Sequence, residues 1–274
     1  MQLQKLWQQS QFWLLTLWIL AALVVKPGWP VFAAGCFIWV TVLYLTARSV
    51  FWYWSYTLNF NPFKTDANLQ KSIACGPLLP QPYLTAAVLY AKKKQWRQAI
   101  PLLEKAAQLN SKKYLTQIKS VLAVAYRETD ELNKAAAILR ELETAGVKNA
   151  HLYTNFAAVH LKRGESEEAI AAAAKARSFD VNAAEPVLII AKAHFLMGEY
   201  QAALDDYQWA LSRLSWPVET FYWLGRAELA LQLTEAAREH LQKAVARIGD
   251  DPQLSDVTLE EAQSWLAKTV NSDQ

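Results

Sequence analysis

Small and apolar residues recur along residues 80–251 with a spacing close to 34 residues. Five copies of the pattern start 36, 34, 34 and 34 residues apart, at Pro80, Thr116, Ala150, Ala184 and Val218. Position twenty is alanine in every copy, at Ala99, Ala135, Ala169, Ala203 and Ala237. Positions eight and twenty-seven are small throughout, except at Leu142. A pattern that recurs at a fixed period indicates stacked structural units, each of which buries its apolar face against its neighbours.

The period and the small residues resemble the tetratricopeptide repeat, a helix–turn–helix unit of 34 residues. Position eleven, usually tyrosine in that family, holds Tyr90, Tyr126, His160, His194 and Glu228. Turn glycines stand at Gly164 and Gly198, while the closing proline of the family is missing from its expected place. The resemblance implies an all-α, right-handed superhelix of five repeats at 80–115, 116–149, 150–183, 184–217 and 218–251.

Apolar residues continue beyond the last repeat on one face of a predicted helix, Thr258–Val270. That face is formed by Leu259, Ala262, Trp265 and Leu266. A repeat array needs a terminal helix with a polar outer face to cover its last apolar surface. We therefore interpret residues 252–274 as a capping helix and tail, and Trp265 as a capping contact.

Two apolar runs without charge precede the repeats. Phe12–Val25 is interrupted only by Thr16, and Val31–Ala47 follows after a turn rich in proline and glycine. With its flanks, each run approaches the length of about 20 residues that a transmembrane helix needs. Residues 1–63 therefore predict a transmembrane hairpin with an aromatic juxtamembrane segment, in which residues 6–60 contact the membrane. Residues 64–79 predict a linker to the repeats.

Basic residues indicate the orientation of this hairpin. Arg48, Lys64 and Lys71 follow the second run and Lys5 precedes the first, whereas Lys26 is the single charge in the turn. Cytoplasmic loops carry an excess of lysine and arginine. The sequence thus predicts a multi-pass protein of the bacterial inner membrane with its repeats in the cytoplasm.

Two other interpretations of the N-terminal region stay open. The first apolar run has the length of a signal-peptide core. In addition, Ala33–Cys36 resembles a bacterial lipoprotein processing box, and lipidation of Cys36 would place the repeats outside the cytoplasm. The strongly apolar Phe37–Leu45 argues against lipidation, because a mature lipoprotein usually continues with polar residues.

Charge and motif content exclude several functional classes. The net charge is +3, and residues 64–274 carry equal numbers of basic and acidic residues, which gives no electrostatic support for nucleic-acid binding. Two cysteines make no disulfide framework. His160 and His194 lie one repeat apart, too far to share a metal ion. No catalytic motif or phosphate-binding glycine loop is present, so the sequence predicts no enzyme, cofactor or metal site.

In the family that the repeats resemble, the first helix of each repeat lines a concave groove. The resemblance implies a partner-binding set of Asn155, Leu188, Lys192, Phe195, Tyr222, Arg226 and Leu229. Asn155 matches one position of the clamp with which family members grip a terminal carboxylate, but Ser120, Val124, Glu185 and Ile189 depart from it. The set instead suits an extended or helical peptide with apolar residues and an acidic group. In an alternative interpretation, Phe195 and Leu229 pack between repeats.

These features predict a membrane-tethered adaptor or assembly scaffold that recruits a protein partner through the groove. The alternative is a structural subunit of an envelope, secretion, pilus or respiratory complex, held mainly through its transmembrane hairpin. The uncharged segment Ser49–Phe63 is dense in aromatic residues. It suits either an interfacial anchor or a docking surface for another membrane protein.

Overall fold

The computed structural model describes residues 42, 53, 66–77, 79–109, 111–213, 218–250 and 257–271. The chain divides into two compact units, Met1–Ala86 and Ala87–Gln274. Within the described ranges all regular elements are α-helices: α1 Asp66–Ala74, α2 Pro80–Lys92, α3 Trp96–Gln108, α4 Lys112–Glu128, α5 Leu132–Thr144, α6 Ala150–Lys162, α7 Ser166–Phe179, α8 Ala184–Met197, α9 Tyr200–Leu211, α10 Val218–Ala230, α11 Thr234–Asp250 and α12 Leu259–Asn271.

The first unit contains α1 and the beginning of α2. Helix α1 lies within residues 64–79, for which the sequence predicts a linker, and it buries Leu69 and Ser72. The Tyr53 hydroxyl and the Thr85 Oγ1 are 3.2 Å apart, within hydrogen-bond distance. The predicted transmembrane hairpin of residues 1–63 lies outside the described residues, apart from Val42 and Tyr53. In the part of the chain that the structure describes, no helix is long and apolar enough to cross a membrane.

The second unit is an array of antiparallel helix pairs, α4–α5, α6–α7, α8–α9 and α10–α11, preceded by α3 and closed by α12. Each second helix packs on the first helix of the next pair. The first helices α4, α6, α8 and α10 also contact one another in succession, which lines them up along one side of the array. The predicted all-helical repeat fold is confirmed.

The small residues lie where the helices approach most closely. The alanines at position twenty are fully buried in all five copies. In copy five, position eight is Gly225, and a Cβ atom built there would lie 2.7 Å from Leu241 Cγ and 3.2 Å from the carbonyl oxygen of Ala237. Backbone of α10 therefore packs directly on α11, which explains a glycine where the other copies have alanine.

The turn between the two helices of each repeat has the same backbone conformation in all five copies. Position fifteen has a positive φ in every copy: Lys94 56°, Asp130 62°, Gly164 77°, Gly198 82° and Gln232 62°. Glycine adopts this left-handed conformation without strain, whereas residues with a Cβ atom do so at a cost. Three of the five turns therefore adopt the left-handed conformation with a residue other than glycine.

A histidine–carboxylate pair joins the two helices in repeats four and five. In repeat four, His194 Nδ1 of α8 lies 2.9 Å from Asp206 Oδ2 of α9. In repeat five, His240 Nδ1 of α11 lies 2.8 Å from Glu228 Oε2 of α10. Both pairs join positions eleven and twenty-three, with the histidine and the acid exchanged. Burial raises the pKa of Asp206 above its ordinary value, and the hydrogen bond from His194 opposes that shift.

Candidate functional site

A groove of about 620 Å³ runs along the side of the array where the first helices meet. Its volume lies within the range of about 300–1,000 Å³ that is typical of ligand sites. The lining comes from four successive repeats: Val124, Arg127 and Glu128 from α4; His151, Thr154, Asn155, Ala158, Leu161 and Lys162 from α6; Glu185, Leu188, Ile189 and Lys192 from α8; Tyr207 from α9; and Glu219, Thr220 and Trp223 from α10.

The end of the groove formed by α4 and α6 is polar, and its charges pair with one another. Arg127 Nη2 lies 2.7 Å from Glu128 Oε1, and Arg127 Nη1 donates a hydrogen bond of 3.3 Å to Asn155 Oδ1. Lys162 Nζ lies 3.7 Å from Glu128 Oε2 and donates to the carbonyl oxygen of Arg127 at 3.0 Å. Asp130 Oδ1 lies 3.4 Å from Lys162 Nζ, so the network holds two cations and two carboxylates and fixes Asn155 in place.

The opposite end, formed by α8 and α10, combines apolar side chains with charged ones. Leu188, Ile189 and Trp223 line it and are all partly exposed. Lys192 Nζ lies 4.6 Å from the centre of a ring of Trp223. Lys192 forms no ion pair with any described carboxylate. Its interaction within the groove is therefore a cation–π contact.

Tyr207 forms part of the lining between these apolar residues. Only 1% of its surface is exposed, and its hydroxyl has no hydrogen-bond partner within the described ranges. Burial raises the pKa of Tyr207 well above its ordinary value of 10.0; the charges of Glu219 and Asp206 raise it further, whereas that of Arg226 lowers it. The hydroxyl is thus neutral and enclosed by the protein.

The structure places the seven sequence-predicted residues in different surroundings. Asn155, Leu188 and Lys192 line the groove. The other four lie outside its lining: Phe195, Tyr222, Arg226 and Leu229. Phe195 packs edge-on against Tyr200 and Trp223, with ring centres 5.4 Å apart in both pairs, and Leu229 is partly buried.

Tyr222 and Arg226 instead join the last repeat to the capping helix. Tyr222 is fully buried, and its hydroxyl donates a hydrogen bond to Glu261 of α12. Arg226 Nη1 donates to the Tyr222 hydroxyl at 3.2 Å. The Arg226 guanidinium also lies against four aromatic rings, those of Phe195, Tyr222, Trp223 and Trp265, at 4.4–5.4 Å from their centres. A fully buried tyrosine offers no surface to a partner.

Most of the groove lining lies outside the predicted set, although the sequence held a signal for two of the missing residues. Ile189 and Trp223 occupy position six of their repeats, as does Asn155 in repeat three. Position six therefore lines the groove in three successive repeats. Tyr207 belongs to a second helix, and a prediction restricted to first helices cannot include it.

Comparison with solved structures shows the same arrangement of helices in other proteins. A tetratricopeptide repeat protein from Parabacteroides merdae superposes with a TM-score of 0.63 at 14% identity, covering 92% of this chain and 89% of that one. TTC0263, a thermophilic protein of this type from Thermus thermophilus, gives a TM-score of 0.58 at 17% identity, covering 70% of this chain and 99% of that one. The fold is tetratricopeptide-like.

The tetratricopeptide-like array also matches a larger assembly. The APC/C hetero-tetramer Cut9–Hcn1 gives a TM-score of 0.62 at 16% identity, with 74% of this chain covered. This chain spans 38% of the length of that matched chain. The sequence itself matches no protein-family model and no curated protein.

Proposed function

We propose that this protein is a membrane-tethered scaffold that recruits a protein partner through the groove of its tetratricopeptide-like array. The observation that carries the proposal is the groove itself, which four successive repeats line with partly exposed side chains. One end offers a fixed polar network around Asn155, and the other offers apolar surface around Trp223. A peptide segment with both polar and apolar groups matches such a lining.

The tethering part of the proposal rests on the two charge-free apolar runs, Phe12–Val25 and Val31–Ala47. Anchoring a binding module confines it to the membrane surface and raises its effective concentration near other membrane proteins. A modest affinity in the groove then suffices for capture. The basic residues that follow the second run favour a cytoplasmic location for the groove.

Site-specific photo-crosslinking in cells tests the groove. A photoreactive residue replaces Ala158, which lines the groove on α6, and a matched probe replaces Ala171, an exposed alanine on α7 outside the lining. We expect a discrete crosslinked protein from position 158 and none from position 171. Equal products from both positions, or none from position 158, would contradict recruitment through the groove.

Membrane attachment needs a separate measurement on the full chain. We expect the protein to stay in the membrane fraction after alkaline carbonate washing and to be released by detergent. The intact mass of the extracted protein then distinguishes two anchors. Retention of residues 1–35 supports the hairpin, whereas their loss with a lipid on Cys36 supports the lipoprotein alternative.

The second candidate function, a structural subunit of a membrane complex, is favoured by the aromatic segment Ser49–Phe63. Partners that co-purify through detergent in stoichiometric amounts, and that crosslink from Trp54 instead of position 158, would support it. A partner that dissociates on dilution would support the scaffold.

A further inference from the structure

We propose that the groove binds a peptide that carries a basic group and an acidic group about 10 Å apart, with an apolar side chain between them. The basic group pairs with Glu185, the acidic group pairs with Lys192, and the apolar side chain packs on Leu188 and Ile189. This inference rests on the proposed function and specifies the chemistry of the partner.

The side of α8 that faces the groove carries these four residues in a single row. Glu185, Leu188, Ile189 and Lys192 all belong to the lining. They stand at positions i, i+3, i+4 and i+7, a spacing that places side chains on one face of a helix. The two charged residues therefore lie about 10 Å apart along the helix axis, with the apolar pair between them. Helix α8 thus presents a negative end, an apolar middle and a positive end to an occupant of the groove.

Neither charge of this row is neutralised within the described part of the chain. Glu185 is exposed and forms no ion pair with a described cation. Lys192 forms no ion pair with a described carboxylate, and its Nζ lies 4.6 Å from the centre of a neutral ring of Trp223. Water solvates both charges while the groove is open. An occupant removes that water, and burying a charge is unfavourable unless the occupant brings an opposite charge.

The other charged residues of the lining place no such demand on an occupant. Arg127 and Lys162 already pair with Glu128, and Lys162 also pairs with Asp130. The remaining carboxylate of the lining, Glu219 of α10, already interacts with other residues of the chain. The charges that an occupant must match therefore lie on α8.

This chemistry differs in part from the acidic group that the sequence suggests. That suggestion depends on Lys192 and Arg226, which occupy the same position in successive repeats. Arg226 lies outside the lining, and aromatic rings surround its guanidinium. The acidic group opposite Lys192 therefore stays in the proposal, and a basic group opposite Glu185 is added to it.

Selection of peptides on the full-length protein in detergent tests this proposal. A displayed random library is panned on the wild-type protein, and a selected peptide is synthesised with blocked termini in four forms. The forms differ only at its two charged residues: as selected, with the two charges exchanged, with two acids, and with two bases. Calorimetry measures the binding of each form to the wild type, to Glu185→Lys, to Lys192→Glu and to the double variant.

Two further variants serve as controls. Glu167→Lys makes the same change at an exposed glutamate that also lies in the first turn of a helix, α7, but outside the groove lining. It should leave the affinity of every form unchanged. Ala158→Trp obstructs the groove and should abolish the binding of all four forms. Melting temperatures show that each variant is folded.

We expect the selected peptides to carry one acid and one base beside an apolar residue. The wild type should prefer the form as selected, Glu185→Lys the form with two acids, and Lys192→Glu the form with two bases. The double variant should prefer the form with exchanged charges, which a misfolded protein would not do. Each mismatched charge should weaken binding about tenfold, and added salt should reduce these differences.

Two results would overturn the charge assignment while leaving the groove in place: selected peptides that lack either an acid or a base, or affinities that follow neither charge reversal. A different result would overturn the proposed function. If no peptide is selected whose binding Ala158→Trp abolishes, the groove is not the recruiting surface.

Discussion

The hydroxyl of Tyr222 donates a hydrogen bond to the carboxylate of Glu261, which lies 39 positions further along the chain. The bond joins the first helix of the last repeat to the capping helix. Arg226 donates to the same hydroxyl, so a chain of three polar groups crosses the junction between α10 and α12. The end of the array is therefore held by specific polar contacts as well as by apolar packing.

Removing the Tyr222 hydroxyl should weaken this junction in a way that depends on pH. Burial and the hydrogen bond to Glu261 raise the pKa of Tyr222 from 10.0 to about 12. The stabilisation is therefore complete below pH 10 and is lost as the pH rises towards 12. We expect Tyr222→Phe to lower the free energy of unfolding by about 2 kcal/mol at neutral pH. The difference from wild type should close between pH 10 and 12.

Urea unfolding followed by circular dichroism at several pH values measures this difference. Tyr200→Phe serves as a control that removes a tyrosine elsewhere. A difference between Tyr222→Phe and wild type that stays constant up to pH 12 would contradict the role assigned to the Glu261 bond.

Arg226→Ala should destabilise the protein more than Lys192→Ala does. The Arg226 side chain is enclosed by Phe195, Trp223 and Trp265 and bonds Tyr222, whereas Lys192 lies over one ring. A desolvated cation–π contact contributes about 2 kcal/mol, and an exposed one about 0.5–1 kcal/mol. Chemical unfolding of both variants gives the comparison. Equal losses would show that the aromatic surroundings of Arg226 add nothing.

Gly225→Ala should lower the free energy of unfolding by about 1–3 kcal/mol, because the added methyl group has no space between α10 and α11. Gly249→Ala is the matched control. It lies in the same repeat, in α11, and a Cβ atom there meets nothing within 4 Å. Alanine at that position should stabilise the helix by up to about 1 kcal/mol. Changes of the same sign in both variants would refute the close contact.

Gln232→Gly should stabilise the protein by about 1 kcal/mol, since glycine relieves the cost of a positive φ in the turn between α10 and α11. Gln242→Gly makes the same chemical change at an exposed position inside α11 and should destabilise by about 1 kcal/mol. Thermal unfolding of the two variants decides the point. A loss of stability in Gln232→Gly would mean that its side chain contributes more than its backbone costs.

The helical repeat fold could be predicted because its packing depends on features that recur in the sequence. Alanine at position twenty and small residues at position eight mark the same close approach in each copy. The turn conformation could be predicted only in part, because Lys94 and Gln232 adopt a left-handed backbone conformation that is rare for their residue types.

The groove was harder to predict from the sequence, because the same repeat position has different neighbours in the last repeat. Position nine is Lys192 in repeat four, where it faces the groove, and Arg226 in repeat five, where α12 and its Trp265 cover it. Whether a side chain meets solvent or the capping helix depends on residues about 40 positions away. Periodicity within a repeat carries no information about that contact.

Repeats four and five contain the same histidine–carboxylate contact with the two residues exchanged. His194 with Asp206, and Glu228 with His240, link the same two positions with opposite polarity. A comparison of residue types at either position alone would score a mismatch, although the bridge between the helices is retained. The two repeats are thus alike at the level of the contact and unlike at the level of the individual residue.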